Sequence, residues 1–214
     1  REAFYGVCYE SVLYVEDLFQ ELDGEQFKQS VEDLWTAFQE LAKTPADSVT
    51  QNLVIQKAGL LVSRSQALYS NLQSYQFNID SQIVDDIKAV NDIGDRIYEL
   101  NLEIMKVESN GKETAMTLRD ERDLLLDELA SYTNIVVRED QYGFVSVEME
   151  GVEFVNELGC FHMQVSKDSM TGFAVPVWEH MSDLENGKTI EVYRLGKDIS
   201  SEANTDIGTL KGLL

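Results

Sequence analysis

The side chains best suited to chemistry in this chain are Cys160 and His162, which are separated by one residue. In an extended strand, residues at this spacing point to the same face, so the pair could begin a metal site. A structural zinc site needs about four ligands at defined spacing. The second histidine is His180, and no Cys-x-x-Cys or His-x-x-x-His pattern completes the set. The sequence therefore predicts no bound metal.

Motifs for catalysis or cofactor binding are absent from the sequence. It contains no Gly-x-Gly-x-x-Gly, no phosphate-binding P-loop and no Gly-x-Ser-x-Gly nucleophile elbow. The abundant carboxylates lie mostly at polar positions of predicted helices, where a solvated face explains them. Cys8 and Cys160 lie far apart and are predicted to be buried free thiols. We therefore expect no catalytic residue, no enzymatic activity and no cofactor.

The formal net charge of −22 is distributed along the whole chain. Residues 1–134 carry 11 Lys and Arg against 25 Asp and Glu, and residues 135–214 carry 6 against 14. Such a chain has no basic face for nucleic acid and is repelled by anionic lipid. No apolar run approaches the ~18 residues of a membrane span. The sequence therefore predicts neither nucleic acid nor membrane as a partner.

The first part of the chain shows helical periodicity. Apolar residues at steps of three and four predict helices at about 9–22 and 25–42, separated by Asp23-Gly24. Thr44-Pro45 ends the second helix, because a residue before proline avoids helical dihedrals. A third helix is predicted from Ser48 to Glu108, where Ser109-Asn110-Gly111 supplies a C-terminal cap. It would be roughly 90 Å long at 1.5 Å per residue.

The third helix carries a seam of apolar residues with a 4-3 alternation. Its members are Val54, Ala58, Leu61, Ser65, Leu68, Leu72, Tyr75 and Ile79, then Val90, Ile93, Ile97, Leu100, Ile104 and Val107. The pattern slips between the two halves, so a break at residues 78–81 is the alternative to one helix. Such a repeat predicts a coiled-coil-like bundle. We expect part of the 90–107 stripe to be exposed or covered by another copy.

A short amphipathic helix, Leu118–Leu129, follows with the sequence LRDERDLLLDEL. Leu118, Leu125 and Leu129 share one face, with Leu126 beside them. Two arginines lie among acidic residues at ion-pairing distance along the helix: Arg119, Arg122, Asp120, Glu121, Asp123 and Asp127. We expect the two arginines to brace the junction between the helical part and the β-rich part that follows.

The last third of the chain is predicted to be β-rich. Strands are expected at 135–139, 144–149, 152–155, 160–165, 173–178 and 189–194, with turns at Asp140–Gly143, Glu150-Gly151 and Asn186-Gly187. Pro176 should mark an edge or bulge. The predicted fold class is α+β with two domains, a long helical bundle and a small antiparallel sheet or sandwich. The predicted ranges are a helical shaft at 1–134, a β-rich outer domain at 135–200 and a return helix beginning at 201–214.

These features resemble flagellar axial proteins, and specifically the hook-associated protein 1 family of the hook–filament junction. The LRDERDLLLDEL block is the most specific element. The resemblance also rests on Leu34-Trp35, Phe38, Leu41-Ala42, Thr44-Pro45, Val54, Ala58 and Leu61 upstream, and on the segment 206–214 downstream. Since Arg1 is not an initiator Met and the chain stops in an apolar run, we interpret the sequence as a central fragment.

The resemblance implies a structural role without covalent chemistry. It implies self-association into a ring, contacts with the hook protein and with hook-associated protein 3, and an export chaperone for the full-length protein. It also implies an extracellular, flagellar location, reached by the flagellar secretion apparatus without a cleaved signal peptide. The alternatives are another axial protein, either hook-associated protein 3 or a flagellin-like subunit, and a ligand-binding or hydrolase module on the β-rich domain.

Overall fold

The computed structural model describes residues 1–21, 24–109, 114–193, 199–202 and 204–214. Its helices are α1 (Glu2–Glu21), α2 (Gly24–Lys43), α3 (Ser48–Glu108), α4 (Met116–Tyr132) and α5 (Thr209–Leu213), and a short 3-10 helix spans Glu179–Met181. Its strands are β1 (Ile135–Glu139), β2 (Val145–Met149), β3 (Val152–Asn156), β4 (Gly159–Cys160), β5 (Met163–Lys167) and β6 (Ala174–Trp178). Predictions for Asp23, Asn110-Gly111 and Arg194 lie outside the described residues.

The helices follow the periodicity of the sequence closely. α3 runs unbroken from Ser48 to Glu108, so the alternative of a break at residues 78–81 is wrong. α1 begins at Glu2, seven residues before the predicted range at 9–22. The reason is tertiary packing, since Phe4 in its first turn is buried and its backbone meets Gly212 at the other end of the chain.

The chain divides into two compact units. The smaller unit comprises residues 9–78, and the larger unit comprises residues 1–8 and 79–214. The division lies inside α3, at the position where the apolar repeat of the sequence slips. The predicted ranges 1–134, 135–200 and 201–214 separate helical from β-rich sequence and stay a prediction. The fold class is α+β, as expected.

The strands form two antiparallel sheets in the larger unit. One has the order β1-β2-β3-β4, and the other pairs β5 with β6. The turn between β2 and β3 uses Glu150 and Gly151, both with positive φ, as the dipeptide predicted. Pro176 pairs with Val165 in the two-stranded sheet, and its carbonyl accepts a hydrogen bond from the backbone of Val192. Residues 190–192 thus lie along the other side of β6, and the register with β5 is unshifted, so the predicted edge or bulge at Pro176 is not confirmed.

Two strand predictions need correction. The run 160–165 does not form one strand, because β4 ends at Cys160 and β5 begins at Met163 in the other sheet. The run 189–194 is not a strand over its described residues, 189–193, which contribute one bridge between Glu191 and Val177. In the second run the apolar content reflects burial without a continuous ladder, since Val192 and Tyr193 are core residues, whereas in the first run only Met163 is buried.

The core of the larger unit lies between α3 and the sheets. The buried stripe of α3 contains Ile83, Ile87, Val90, Ile93, Ile97, Leu100 and Ile104. It joins one cluster with sheet residues such as Val147 and Phe154 and with Leu210 and Leu213 of α5. The expectation that the 90–107 stripe would be exposed or covered by another copy is therefore wrong from Val90 to Ile104. The sheet and α5 provide the cover that was expected from partner helices, and the expectation of exposure holds at Val107, which is 38% exposed.

The smaller unit has a much thinner core. Among its described side chains, only Leu18, Ser30 and Ala37 are fully buried. The α3 seam in this unit is half-buried, with Ser65 exposed. Its other contacts include stacked rings of Tyr14 and Tyr75, 4.2 Å between centroids, and an ion pair of Lys57 with Asp33 at 2.6 Å. Within the described ranges, no helix combines the length and apolarity needed to cross a membrane.

Candidate functional site

Arg122 of α4 lies at the centre of a buried polar contact between α3 and the β1–β2 hairpin. Its Nη1 donates to Asn101 Oδ1 at 2.9 Å and to the carbonyl oxygen of Gly143 at 2.7 Å. Asn101 also pairs with both backbone groups of Val145, accepting from its N–H and donating to its carbonyl. A guanidinium buried without hydrogen-bond partners destabilises the folded state by several kcal/mol. Because one partner of Arg122 is the Gly143 carbonyl in the hairpin, these bonds hold the hairpin against α3 and α4.

Arg119, one turn earlier on α4, forms the outer part of the same junction. It donates to both carboxylate oxygens of Glu108, at 2.9 and 2.7 Å, and to Glu139 of β1 at 2.6 Å. This fork geometry is the strongest form of an arginine–carboxylate pair. The guanidinium and the backbone N–H of Ala115 hold the pKa of Glu108 down to about 2. Arg119 therefore links the C-terminal end of α3 to the edge of the sheet.

The predicted role of the two arginines is confirmed, but their predicted partners along α4 are wrong. Neither arginine pairs with Asp120, Glu121, Asp123 or Asp127. Glu121 instead accepts from Arg96 of α3 at 2.8 Å. The predicted apolar face holds, since Leu129 is buried and Leu118, Leu125 and Leu126 are half-buried. We name the set Asn101, Glu108, Arg119, Arg122 and Glu139 the arginine junction.

Sequence reasoning did not find Asn101, the most buried polar partner in the arginine junction. A usable signal was present, because Asn101 lies four residues after Ile97 and three before Ile104, on the buried face of α3. A polar residue at such a position in an apolar stripe must be hydrogen-bonded. What the sequence does not give is the identity of the partner, since Val145 lies 44 residues away.

A second cluster brings Cys160 and His162 together with Asp95 of α3. The three ligand atoms all lie within 4.8 Å of one another, and His162 Nε2 is 2.9 Å from Asp95 Oδ1. Burial, then the charge of Asp95 and a hydrogen bond to it, raise the pKa of the Cys160 thiol to about 12. His162 lies in the link between β4 and β5 and not in a strand. His180 lies apart from this cluster, against the rings of Phe161 and Trp178.

The two ends of the chain meet in the larger unit. Arg1 donates to Asp206 at 3.1 Å, and Tyr5 donates to the same carboxylate at 3.2 Å. Lys211 of α5 reaches Glu150 at 3.4 Å, and both side chains are largely buried. Burial raises the pKa of the Glu150 carboxyl, while the Lys211 ammonium opposes that shift. These contacts fix the segment 204–214 on the first turn of α1 and on the β2–β3 turn.

Comparisons with known proteins place this architecture in context. Residues 12–214 match the family described as "Flagellar hook-associated protein FlgK helical domain". The chain is 24% identical over 140 residues to "Flagellar hook-associated protein 1" of Bacillus subtilis (strain 168), covering 65% of this chain and 27% of that protein. It also aligns with the flagellar hook junction protein FlgK from Burkholderia pseudomallei at a TM-score of 0.73 and 20% identity, over 99% of this chain and 35% of that one. The chain thus spans about a third or less of these relatives.

Proposed function

Because the chain belongs to the flagellar hook-associated protein FlgK helical domain family, we propose that it is a structural part of the flagellum at the hook–filament junction. The family consists of structural flagellar proteins. In this role the chain holds its neighbours by packing and carries out no covalent step. The full-length protein is exported to the flagellum, where it assembles with further copies of itself in a ring and with the hook protein and hook-associated protein 3. An export chaperone accompanies it before assembly.

The observation that carries this proposal is the exposed apolar surface of the smaller unit. Large apolar side chains lie exposed on all three of its helices, including Trp35 at 66%, Ile55 at 68%, Tyr69 at 69% and Phe77 at 72%. Large exposed apolar surfaces on soluble proteins usually mark protein–protein interfaces. Ile55, Tyr69 and Phe77 lie outside the half-buried seam of α3, so the packing within the smaller unit leaves them exposed. The smaller unit therefore has the surface of an assembling subunit.

The larger unit supports the same role through its rigidity. The arginine junction joins α3, α4 and the β1–β2 hairpin through buried or charge-assisted hydrogen bonds, which resist deformation. A subunit that transmits load between two parts of a filament needs this kind of internal bracing. We infer that the larger unit moves as one body during assembly.

The proposal is tested by complementation with the full-length protein. A strain lacking the gene is given either the natural protein or a variant carrying Trp35→Ser, Ile55→Ser and Phe77→Ser. We expect the variant to be made and exported normally but to be missing from purified hook–filament structures, with few attached filaments and weak swimming. Immunogold electron microscopy of the natural protein should place it between hook and filament.

A matched control changes equally exposed apolar residues of the larger unit. Leu124, Leu158 and Met170 are 68%, 85% and 92% exposed, so Ser at these positions removes a similar apolar area. This control should support normal filaments. Normal filaments with the first variant would overturn the role of the smaller unit's surface. Absence of the natural protein from isolated hook–filament structures would overturn the junction role itself.

A further inference from the structure

We propose that Asp95, Cys160 and His162 form a binding site for one Zn²⁺ ion. They offer a carboxylate oxygen, a thiol sulfur and an imidazole nitrogen, all within 4.8 Å of one another. Asp95 belongs to α3, Cys160 ends β4, and His162 lies between β4 and β5. The expectation of a metal-free chain rested on Cys160, His162 and His180, whereas the third ligand, Asp95, lies 67 residues before His162.

Small side-chain movements would bring the three ligand atoms, which lie within 4.8 Å of one another, to the spacing of a zinc site. With bonds of about 2.0–2.3 Å, the ligand atoms of a tetrahedral zinc ion lie roughly 3.3–3.8 Å apart. The 2.9 Å distance from His162 Nε2 to Asp95 Oδ1 must therefore widen slightly. Both side chains are free to make this change, since Asp95 is 52% and His162 40% exposed. Their exposure also leaves a fourth position for water, as in zinc sites with three protein ligands.

The mixture of ligand atoms selects the class of metal. Mg²⁺ and Ca²⁺ take sets made of oxygen alone, whereas a thiolate with an imidazole favours Zn²⁺ and similar transition metals. On binding, a Zn–S bond forms as the Cys160 thiol releases its proton to solvent. Asp95 and the resulting thiolate supply two negative charges that compensate the two positive charges of the ion. His162 binds as the neutral imidazole.

A metal ion would give the cluster a positive charge that no lysine or arginine among the described ion pairs provides. Among the ion pairs of the described residues, Asp95 has His162 as its partner and no Lys or Arg. The group beside the Cys160 thiol is therefore a carboxylate and not a cation that would stabilise a reactive thiolate. A cysteine–histidine catalytic pair needs the opposite environment. The arrangement fits a cation ligand better than a reactive centre.

Gly94 makes the approach of Cys160 to α3 possible. A β-carbon on Gly94 would lie 2.5 Å from the Cys160 sulfur and 2.5 Å from Cζ of Phe154. Glycine is thus the residue that lets β3 and β4 approach the helix so closely. Since Asp95 is the next residue on α3, the same contact brings thiol and carboxylate together. A bound ion would fasten α3 to the link between the two sheets, independently of the proposed role in the flagellum.

The test uses the purified chain and the metal ions alone. The chain is stripped of metal and reduced, then titrated with Zn²⁺ in a calorimeter and with Co²⁺ in a spectrophotometer. We expect one ion per chain, a thiolate-to-cobalt charge-transfer band in the near ultraviolet, and a melting temperature that rises with Zn²⁺. Absence of the band in the natural sequence, or zinc uptake well below one ion per chain, would overturn the proposal.

The chain supplies matched controls, because it has one other cysteine and one other histidine. Cys160→Ser should abolish the cobalt band, and Asp95→Asn and His162→Ala should each weaken Zn²⁺ binding by about 10–100-fold or more. Cys8→Ser and His180→Ala should leave affinity and band unchanged. Asp95 is exposed, so Asp95→Asn should fold, and circular dichroism of the metal-free variants checks this. Equal binding by Asp95→Asn, or loss of the band in Cys8→Ser, would overturn the site.

Discussion

Arg122 donates a hydrogen bond to the side-chain oxygen of Asn101 at 2.9 Å, and both side chains are buried in the larger unit. The bond joins α4 to α3, and through Val145 and Gly143 it extends to the β1–β2 hairpin. Because these bonds join residues that are far apart in sequence, the whole set forms only when α3, α4 and the β1–β2 hairpin are all in place. It is the central polar bond of the arginine junction.

Removing the buried arginine should be far more damaging than removing an exposed one. Arg122→Ala leaves Asn101 Oδ1 and the Gly143 carbonyl without their donor, and because each buried acceptor left unpaired costs about 1–3 kcal/mol, we expect a loss of about 2–6 kcal/mol. Arg138→Ala, the control, breaks an exposed pair with Glu148 and should cost about 0–1 kcal/mol. Arg119→Ala should lie between the two, because its guanidinium is partly exposed.

Urea unfolding followed by the fluorescence of buried Trp178, in a Trp35→Phe background, reports the stability of the larger unit. Equal midpoints for the variants at 122 and 138 would contradict this ranking.

Gly208 is required where the chain passes the end of α4 and enters α5. Its φ is +95°, and a β-carbon there would collide with the carbonyl oxygen of Tyr132 and lie 2.7 Å from Thr133 Cα. Gly208→Ala therefore combines strain with a backbone collision and should cost about 2–4 kcal/mol. Gly151→Ala is the control, because its φ is also positive, at +82°, but nothing lies within 4 Å. That variant should lose only ~1 kcal/mol. The same unfolding measurement separates the two, and similar losses would show that the collision relaxes.

The helices and hairpins of this fold were predictable because their signals are local. The repeat of α3 and the Glu150-Gly151 turn each occupy a short window of sequence, so periodicity and turn chemistry locate them. The start of α1 was predicted too late in the sequence, because its first turn is stabilised by packing of Phe4 against Gly212, near the opposite end of the chain. In the same way, the sequence shows that the α3 stripe needs cover but not that a sheet supplies it.

The arginine junction and the cluster of Asp95, Cys160 and His162 show the same limit of prediction from local sequence. The carboxylates beside Arg119 and Arg122 in sequence suggested pairs along α4, but the partners come from α3 and β1. Cys160 and His162 were found by their spacing, whereas Asp95 could be found only from the fold. Local pattern therefore identifies the residue that needs a partner, and tertiary structure decides which residue provides it.

The ion pair of Glu108 with Arg119 should make the larger unit sensitive to acid. The pKa of Glu108 is lowered to about 2 in the folded state, below its ordinary value near 4.5. A lowered pKa means that the unfolded state binds the proton more tightly, so the stabilisation is present above about pH 4.5 and is lost as the pH falls toward 2. Glu108→Gln should therefore lower the unfolding midpoint at pH 7 and flatten its fall between pH 5 and 2.

The control for this acid dependence is Glu103→Gln, which removes an exposed carboxylate of the same helix at 3.5 Å from Arg96. Its unfolding midpoint should follow the natural chain across the whole acid range. An unaltered pH profile in Glu108→Gln would show that other carboxylates cause the acid sensitivity and that the Arg119 pair contributes little.

The same substitution in α3 should have opposite effects at its two glycines. At Gly59 nothing lies within 4 Å of an added β-carbon, so Gly59→Ala should gain up to ~1 kcal/mol from helix propensity. At Gly94 the methyl group meets Phe154 and Cys160 at 2.5 Å, and overpacking should cost about 1–3 kcal/mol, more than the same propensity gain. Far-UV circular dichroism follows the helices of both units, whereas Trp178 fluorescence follows the larger unit alone, so a change seen only by circular dichroism belongs to the smaller unit. A stabilised Gly94→Ala variant would mean that β3 and β4 can move away from the helix, and that their close approach to α3 is not required by the fold.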